Sequence, residues 1–174
     1  HIKFAKALHK LAQKQDKTAE FFEQLRELEM VFSDKEVYQM LALVAGMEIS
    51  RVQEVVRAAF GKFLDDGVLN MLVLIVANRQ LKLVSPIRKA YQRFYFEAAG
   101  ITDFVIASSR ELADQEKTDL EKKLAGKENK AHVTYQVNAD LIGGIQIYKN
   151  GLLTDYSLRG QLDVLKRELI GEHN

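Results

Sequence analysis

Apolar and polar residues alternate along the first hundred positions with the period of an α-helix. Phe4, Leu8 and Leu11 recur at intervals of three and four residues, and the segment from Phe21 to Phe32 repeats the pattern. This spacing puts the apolar side chains of each helix on one face, where they can pack against a neighbouring helix. The same period continues to about residue 99, so the pattern predicts one helix after another in this half.

Shorter signals divide this half into individual helices. Gly46 and Gly61 are expected breaks, which predicts helices near residues 34–45 and 48–60. Residues 68–76 are apolar on nearly every side, as in a helix that is enclosed by other helices. About six helices joined by short links predict a helical bundle.

Capping signals predict where three of the helices begin. Residues 33–36 and 108–111 both have the Ser-x-x-Glu spacing of a capping box. Ser85 and Pro86 offer an N-cap followed by a first-turn proline. We therefore expect helices to begin at these three points, and the helix after Ser108 to continue to about Leu124.

Beyond Gly100 the period changes from that of helices to that of strands. Residues 101–107 form a short β-branched run, and residues 133–137 and 145–148 alternate between apolar and polar. Asn150 and Gly151 then predict a tight hairpin turn, because both central residues of a type I′ turn need a positive φ. A return strand through Leu153 and Asp155 follows, and then a helix whose leucine stripe is expected to pack on the sheet. That stripe consists of Leu158, Leu162, Leu165 and Leu169.

These elements predict a mainly α protein of the α+β class with two domains. Residues 1–100 are expected to form a six-helix bundle. Residues 101–174 are expected to form a small domain with a short sheet, a β-hairpin and two helices. The boundary falls near residues 98–108, where no flexible Ser/Gly/Pro-rich linker is present.

The charge balance argues against nucleic acid as a partner. The chain has 25 Lys and Arg against 24 Asp and Glu, whereas a protein that binds nucleic acid by counterion release is usually basic. The basic and aromatic residues between Arg88 and Arg93 resemble an RNA-binding surface, but helical spacing separates them into two faces of one helix. No apolar run approaches the roughly 20 residues that span a bilayer. We therefore expect no direct membrane insertion.

The residues that could carry chemistry do not form a catalytic or metal-binding pattern. Cysteine is absent, and no two of the four histidines have the i, i+4 spacing of a helical zinc pair. The Gly143-Gly144 pair lacks the lysine and hydroxyl residue of a phosphate-binding loop. A bulge or a close approach of two backbone segments explains this pair better, so we assign it to the fold. We expect no catalytic residues, no metal and no cofactor.

A motif in the C-terminal part resembles a known family. The run from Val133 to Ile147, Val-x-Tyr-x-Val-Asn-Ala-Asp-Leu-Ile-Gly-Gly-Ile-x-Ile, resembles the signature of ATP synthase delta subunits. That family includes the mitochondrial oligomycin sensitivity conferral protein. Weaker matches follow in the expected order along the chain, at residues 4–8, 72–83 and 107–112. Asn138 and Asp140 within the motif, and Tyr156 after it, differ from the residues that are common in the family.

The resemblance implies a structural role in a rotary ATP synthase. Delta subunits are non-catalytic stator subunits, which link the catalytic head to the peripheral stalk and resist rotor torque during proton-driven ATP synthesis. The N-terminal domain is expected to bind the N-terminal helices of α subunits, and the C-terminal domain the b subunits. The chain would be a monomer within this hetero-oligomer. It would lie at the cytoplasmic face of the bacterial plasma membrane, and a mature organellar protein would look the same.

The resemblance also implies which residues contact these partners. The head would occupy a groove between the first and fifth helices, with Arg79 holding a partner carboxylate, although each apolar residue of this set could be bundle core instead. The apolar residues of the groove are Phe4, Leu8, Leu11, Leu72, Ile75 and Val76. The stalk would contact the hairpin and terminal helix at Asp155, Ser157, Arg159, Leu162 and Leu165.

Residue patterns alone leave other functions open. An unrelated helical adaptor would have the same two domains and the same balanced charge. An RNA-binding module and a small enzyme are weaker alternatives. The identity of the partner distinguishes the first two hypotheses, and salt-dependent binding of nucleic acid would favour the RNA-binding alternative.

Overall fold

The computed structural model describes residues 1–125 and 130–170. Its first part is helical, with a 3-10 turn at Leu81–Leu83. The helices there are α1 (Ile2–Lys14), α2 (Thr18–Phe32), α3 (Lys35–Val44), α4 (Ile49–Phe60), α5 (Asp66–Ala77) and α6 (Val84–Ala99). The elements that follow are β1 (Thr102–Ser108), α7 (Asp114–Ala125), β2 (Ala131–Val137), β3 (Gly144–Lys149), β4 (Leu152–Ser157) and α8 (Leu158–Ile170). A mainly helical α+β fold with a small sheet is therefore confirmed.

Two compact units divide the chain. The helical unit comprises His1–Tyr95, and the sheet unit begins at Phe96. The last turn of α6 belongs to the sheet unit, because the ring of Phe96 lies 4.9 Å from that of His132 on β2. The division between the units thus falls inside a helix, a few residues before the boundary expected after Gly100.

Helix α5 lies at the centre of the helical unit. Its side chains at Leu69, Leu72, Ile75 and Val76 are completely or almost completely buried, as expected for a helix enclosed by others. At Gly67 the leucine and phenylalanine side chains of α1 and α2 approach so closely that a Cβ would collide with them. Close packing of this kind fixes the position of α5 among its neighbours.

A buried tyrosine joins α6 to the rest of this core. Tyr91 is fully buried, and its hydroxyl donates a hydrogen bond to the carbonyl oxygen of Thr18 at 3.0 Å. The bond satisfies a polar group that would otherwise be costly to bury. Burial raises the pKa of Tyr91 well above its usual range, so the hydroxyl keeps the proton that it donates.

The predicted capping box at Ser33 is wrong by one residue. Ser33 still belongs to the end of α2, and its hydroxyl donates to the carbonyl oxygen of Glu29 at 3.1 Å. Asp34 is the N-cap of α3 instead, since its carboxylate accepts the backbone N–H of Glu36 at 2.7 Å. The helix was predicted correctly, but a neighbouring acceptor provides the cap.

The other two predicted helix starts are also displaced. Helix α6 begins at Val84 because the preceding 3-10 turn leads directly into it, and Pro86 remains in the first turn, where no N–H is needed. Strand β1 continues through Ser108, so α7 begins only at Asp114. There the carboxylate of Glu116 accepts the N–H of Ala113 at 2.9 Å, which makes half of a capping box.

The sheet unit is built on β1. The strand order is β2-β1-β3-β4, with β1 parallel to β2 and antiparallel to β3. Asn150 and Gly151 join β3 to β4 with φ values of 49° and 85°, as a type I′ turn requires. Phe104 and Ile106 of β1 are buried, so the central strand provides the middle of this small core.

Helix α7 connects the parallel pair β1 and β2 and is fastened to the sheet by a tyrosine. The hydroxyl of Tyr135 on β2 donates to the Glu121 carboxylate at 3.0 Å, and it lies 3.2 Å from the carbonyl oxygen of Lys117. Burial and the adjacent carboxylate raise the pKa of Tyr135 to about 12. The hydroxyl therefore remains a hydrogen-bond donor at physiological pH.

Candidate partner-binding surfaces

Most residues that were expected to line the α1–α5 groove are core residues. Leu72, Ile75 and Val76 are fully buried, and Leu8 is almost completely buried. A partner helix cannot reach these four side chains in this structure. Their expected partner contact is corrected to a structural one: they form the wall behind the groove.

On each helix of the expected groove a strip of apolar residues stays accessible. Phe4 on α1 is partly buried, while Leu11 is 36% exposed and packs against Gly67 of α5. On α5 the accessible apolar residue is Leu74, which is 41% exposed. Leu74 was not predicted from the sequence, although two asparagines four residues before and after it mark a polar stripe on this apolar helix.

Arg79 occupies a position that usually requires glycine. The backbone N–H groups of Gln80 and Arg79 donate to the carbonyl oxygens of Ile75 and Val76 at 2.8 and 3.0 Å, which ends α5 in a Schellman motif. Arg79 accordingly has a φ of 58°, and its guanidinium lies over Gly46. The side chain is exposed and forms no ion pair with any residue in the described ranges.

A polar cluster fastens the start of α5 to the first two helices. The carboxylate of Asp65 accepts hydrogen bonds from Lys17 at 2.8 Å and from Gln24 at 2.7 Å. The bond from Lys17, followed by that from Gln24, lowers the pKa of Asp65 below its usual value. Since Lys17 directly precedes α2 and follows α1, this cluster fixes both sides of the groove at one end.

On the sheet unit, Asp155 and Ser157 organise the start of α8. Ser157 is buried, and its hydroxyl accepts the N–H of Gly160 at 3.0 Å as an N-cap. Asp155 accepts the N–H of Ser157 and the side-chain amide of Gln146, both at 2.8 Å. The hydrogen bonds from Ser157, with that from Gln146, lower the pKa of Asp155. The expectation that Ser157 contacts a partner is therefore corrected, because its side chain is buried as a helix cap.

The remaining stalk-contact candidates lie on the surface of α8. Arg159 is exposed and donates to the carbonyl oxygen of Asp140 at 3.2 Å, which ties α8 to the turn before β3. Leu162 and Leu165 are 56% and 52% exposed. Leu158 and Leu169 are exposed too, so the stripe that was expected to pack on the sheet mostly faces outward. Helix α8 thus presents an unusually apolar surface.

The turn before β3 holds an exposed isoleucine in a strained conformation. Ile142 has φ 64° and ψ −42°, and the N–H of Gly143 donates to the carbonyl oxygen of Leu141 at 2.6 Å, as in a γ-turn with positive φ. A β-branched residue is rarely found there, and Ile142 is also 69% exposed. Ile142 was not predicted from the sequence, because the turn type is not evident from Leu-Ile-Gly-Gly.

The two glycines that follow have different surroundings. Gly144 has a φ of 77°, and a Cβ at this position would collide with the backbone oxygen of Tyr156 on β4. A Cβ at Gly143 would lie 2.7 Å from the Leu158 side chain, which is flexible. Gly144 thus allows a close approach of two backbone segments, and Gly143 allows a close approach of α8.

Across residues 1–125 and 130–170, no group of three or more His, Cys, Asp or Glu side chains is arranged to hold a metal ion. No helix in the same residues is both long and apolar enough to cross a membrane. The prominent features are therefore the two apolar surfaces, one on each unit.

A fold of two compact units, each with its own exposed apolar surface, defines a protein of the adaptor class. The sequence model described as ATP synthase delta (OSCP) subunit matches residues 2–169. The chain belongs to this family, whose members are non-catalytic structural subunits of the ATP synthase complex. This membership confirms the predictions of a delta-type stator subunit and of a protein without catalytic activity of its own.

Individual relatives match along almost their whole length. ATP synthase subunit delta of Mycoplasmoides gallisepticum is 31% identical over 170 residues, which cover 95% of this chain and 92% of the relative. The subunit of Halalkalibacterium halodurans is 28% identical over 170 residues, covering 97% and 93%. The fold is similar to that of a chain in the Toxoplasma gondii mitochondrial ATP synthase hexamer, with a TM-score of 0.76 at 16% identity and coverage of 97% and 96%.

Proposed function

We propose that this chain joins the catalytic head of a rotary ATP synthase to its peripheral stalk through two separate contacts. The helical unit, a bundle of the first six helices, binds the head. The sheet unit binds the stalk. The observation that carries the proposal is the family match over residues 2–169, which includes both units and both exposed apolar surfaces.

On the head side, an N-terminal helix of an α subunit occupies the groove between α1 and α5. Phe4, Leu11 and Leu74 are its apolar contacts, because they are the accessible side chains of the two strips. A helix in a groove offers anchors at intervals of three, four and seven residues, which suits such strips. The buried residues behind the strips keep the distance between the two strips constant. Arg79 is free to bind a partner carboxylate.

On the stalk side, b subunits bind the outward face of α8. Leu162 and Leu165 are the apolar contacts, and Arg159 lies about one turn before Leu162. Asp155 and Ser157 support this contact indirectly, by fixing the direction in which α8 leaves the hairpin. Gly143 and Gly144 allow the turn and the hairpin to pack closely against that start.

The two contacts together hold the head against the torque of the rotor during proton-driven synthesis. This function requires stiffness and affinity, and it needs no cofactor or catalytic group. The chain is then a monomer within the hetero-oligomer. It is attached to the cytoplasmic face of a bacterial plasma membrane, or to the equivalent organellar membrane, through the other subunits.

Charge substitutions on one surface at a time test whether each unit binds its own partner. Leu11→Asp/Leu74→Asp should weaken binding of a synthetic α-subunit N-terminal peptide more than tenfold and leave binding of the soluble b-subunit stalk unchanged. Leu162→Asp/Leu165→Asp should do the reverse. Both affinities are measured by calorimetric titration of the full chain, with folding checked by circular dichroism.

Leu43→Asp on α3 is the matched control, because it puts the same charge on an exposed leucine outside both surfaces. It should change neither affinity. Folded variants that keep both affinities, or a single variant that loses both, would contradict the assignment of one partner to each unit.

A further inference from the structure

The charged side chains of helix α1 are all positive, and the apolar contacts of the proposed groove do not explain them. Its four lysines, Lys3, Lys6, Lys10 and Lys14, are all exposed, and the helix contains no acidic residue. None of the ion pairs formed by the described residues includes any of the four. The positive charge of α1 is therefore not neutralised locally.

Three of these lysines border the groove. Each residue turns an α-helix by about 100°, so Lys14, Lys3 and Lys10 lie roughly 60°, 80° and 100° around α1 from Leu11. By the same measure Lys6 lies roughly 140° from Leu11 and is the lysine farthest from the groove.

The opposite border of the groove, on α5, is almost neutral. Its exposed polar residues are Asn70 and Asn78, together with Asp66 at the start of the helix. Asp66 is paired with Arg57 of α4 at 3.2 Å, and the same arginine lies 3.4 Å from the Asn70 side chain. Arg79, two residues after the end of α5, adds one positive charge at that end of the groove. Between Asp66 and Arg79 the exposed α5 border is uncharged, whereas three lysines follow the α1 border.

This arrangement is unfavourable in the isolated protein. Lys6, Lys10 and Lys14 follow one another at i, i+4 spacing, where like charges repel. Lys3 lies in the first turn, where the helix dipole disfavours a cation. Carboxylates placed along the border would relieve both effects and would be attracted from a distance.

We propose that the helix bound in this groove carries carboxylates along the flank that faces α1, and uncharged polar side chains along the flank that faces Asn70 and Asn78. The inference rests on the proposed function, in which the groove is the head-binding site. The lysine border, Lys3, Lys10 and Lys14, fixes the rotation of the bound helix about its own axis and accelerates its association.

The test uses the full chain and a synthetic α-subunit N-terminal peptide, titrated at several salt concentrations. The triple variant Lys3→Gln/Lys10→Gln/Lys14→Gln should lower affinity about tenfold at low salt, as expected for three exposed charge contacts, and should flatten the salt dependence. The variant Lys6→Gln should stay within about twofold of the parent chain, because Lys6 is the lysine farthest from the groove.

A charge swap distinguishes the effect of a lysine's position from the effect of the net charge of the chain. Gln13→Lys/Lys14→Gln keeps the composition and moves one charge away from the border, so it should lower affinity as much as Lys14→Gln alone. A peptide with every Asp and Glu replaced by Asn and Gln should bind the parent chain and the triple variant equally.

The possible failures differ from one another. If the peptide binds but the triple variant keeps the parental affinity and salt dependence, the lysine inference is wrong and the proposed function stands. Binding to phosphatidylglycerol vesicles is measured alongside. The lysine inference is equally wrong if the triple variant loses binding to these vesicles but keeps its affinity for the peptide. If the parent chain does not bind the peptide at any salt concentration, the head-binding groove itself is refuted.

Discussion

The two units differ in how they use apolar residues. Among the described residues, the helical unit buries twenty-one apolar side chains in one core, and the sheet unit buries five. Each unit nevertheless leaves ten large apolar side chains exposed. The helical unit is therefore a well-filled domain with a groove on it, whereas the sheet unit exposes more apolar side chains than it buries.

The difference follows from where each unit places its most apolar helix. In the helical unit that helix is α5, which other helices surround. In the sheet unit the leucine-rich helix is α8, whose main contacts are with β4 and the turn before β3 and whose leucines are exposed. A unit with so small a core depends strongly on its backbone geometry, and it gains stability when a partner covers the exposed face.

The largest expected effect is on the backbone geometry of the sheet unit. Gly144→Val adds a β-branched side chain at positive φ and a collision with the Tyr156 backbone oxygen, so we expect a loss of at least about 4 kcal/mol in the free energy of unfolding of this unit. Hydrogen exchange of the strand amides measures the loss and should leave the helical unit protected.

Gly151→Val is the control for this prediction. Gly151 also has a positive φ, but no atom lies within 4 Å of its added Cβ. This variant should lose only about 1–2 kcal/mol, the cost of the left-handed conformation. A Gly144→Val protein that stays folded and still binds the stalk would refute the assignment of Gly144 to the fold.

Two leucine-to-alanine substitutions should distinguish a core residue from a contact residue. Their effects on the free energy of unfolding should be smaller than that of Gly144→Val. Leu72→Ala leaves a cavity in the helical unit and should cost about 3 kcal/mol in unfolding free energy. Leu165→Ala removes a half-exposed side chain and should change stability by less than about 0.5 kcal/mol, while weakening stalk binding. Urea denaturation gives both values, and equal losses would show that α8 is packed like α5.

The smallest expected effect has the opposite sign. Ile142→Gly relieves the positive-φ strain and should raise the stability of the sheet unit by up to about 1 kcal/mol, partly offset by the flexibility of glycine. Ile142→Val keeps the strained backbone and most of the side chain, so it should leave the stability unchanged; a destabilised Ile142→Gly variant would contradict the strain argument.

The elements of this fold were largely evident from the sequence, because the signals that define them are local. Asn150 and Gly151 specify their turn by backbone preference alone, and the apolar run 68–76 specifies an enclosed helix by its composition. Helix ends were less accurate. Ser33 and Ser108 both fit a capping box, but each belongs to the element before it, and only the extent of that element reveals this.

The contact surfaces were harder to predict, because burial depends on neighbours that are distant in sequence. Leu72 and Leu74 are two residues apart on the same apolar helix, yet one is core and the other is exposed. Ser157 has the polarity of a contact residue, but its hydroxyl is used as a helix cap. Family resemblance suggests which helices a partner binds, but the packing decides which of their side chains that partner can reach.

The central position of β1 has a mechanical consequence. Only two residues separate the end of α6 from β1, which pairs with β2 on one side and β3 on the other. A pull on β1 along the strand axis would therefore load the hydrogen bonds of both ladders at the same time. Sliding β1 out requires these bonds to break together, whereas an edge strand could be unzipped one bond after another. The sheet unit would thus resist a pull in this direction in shear.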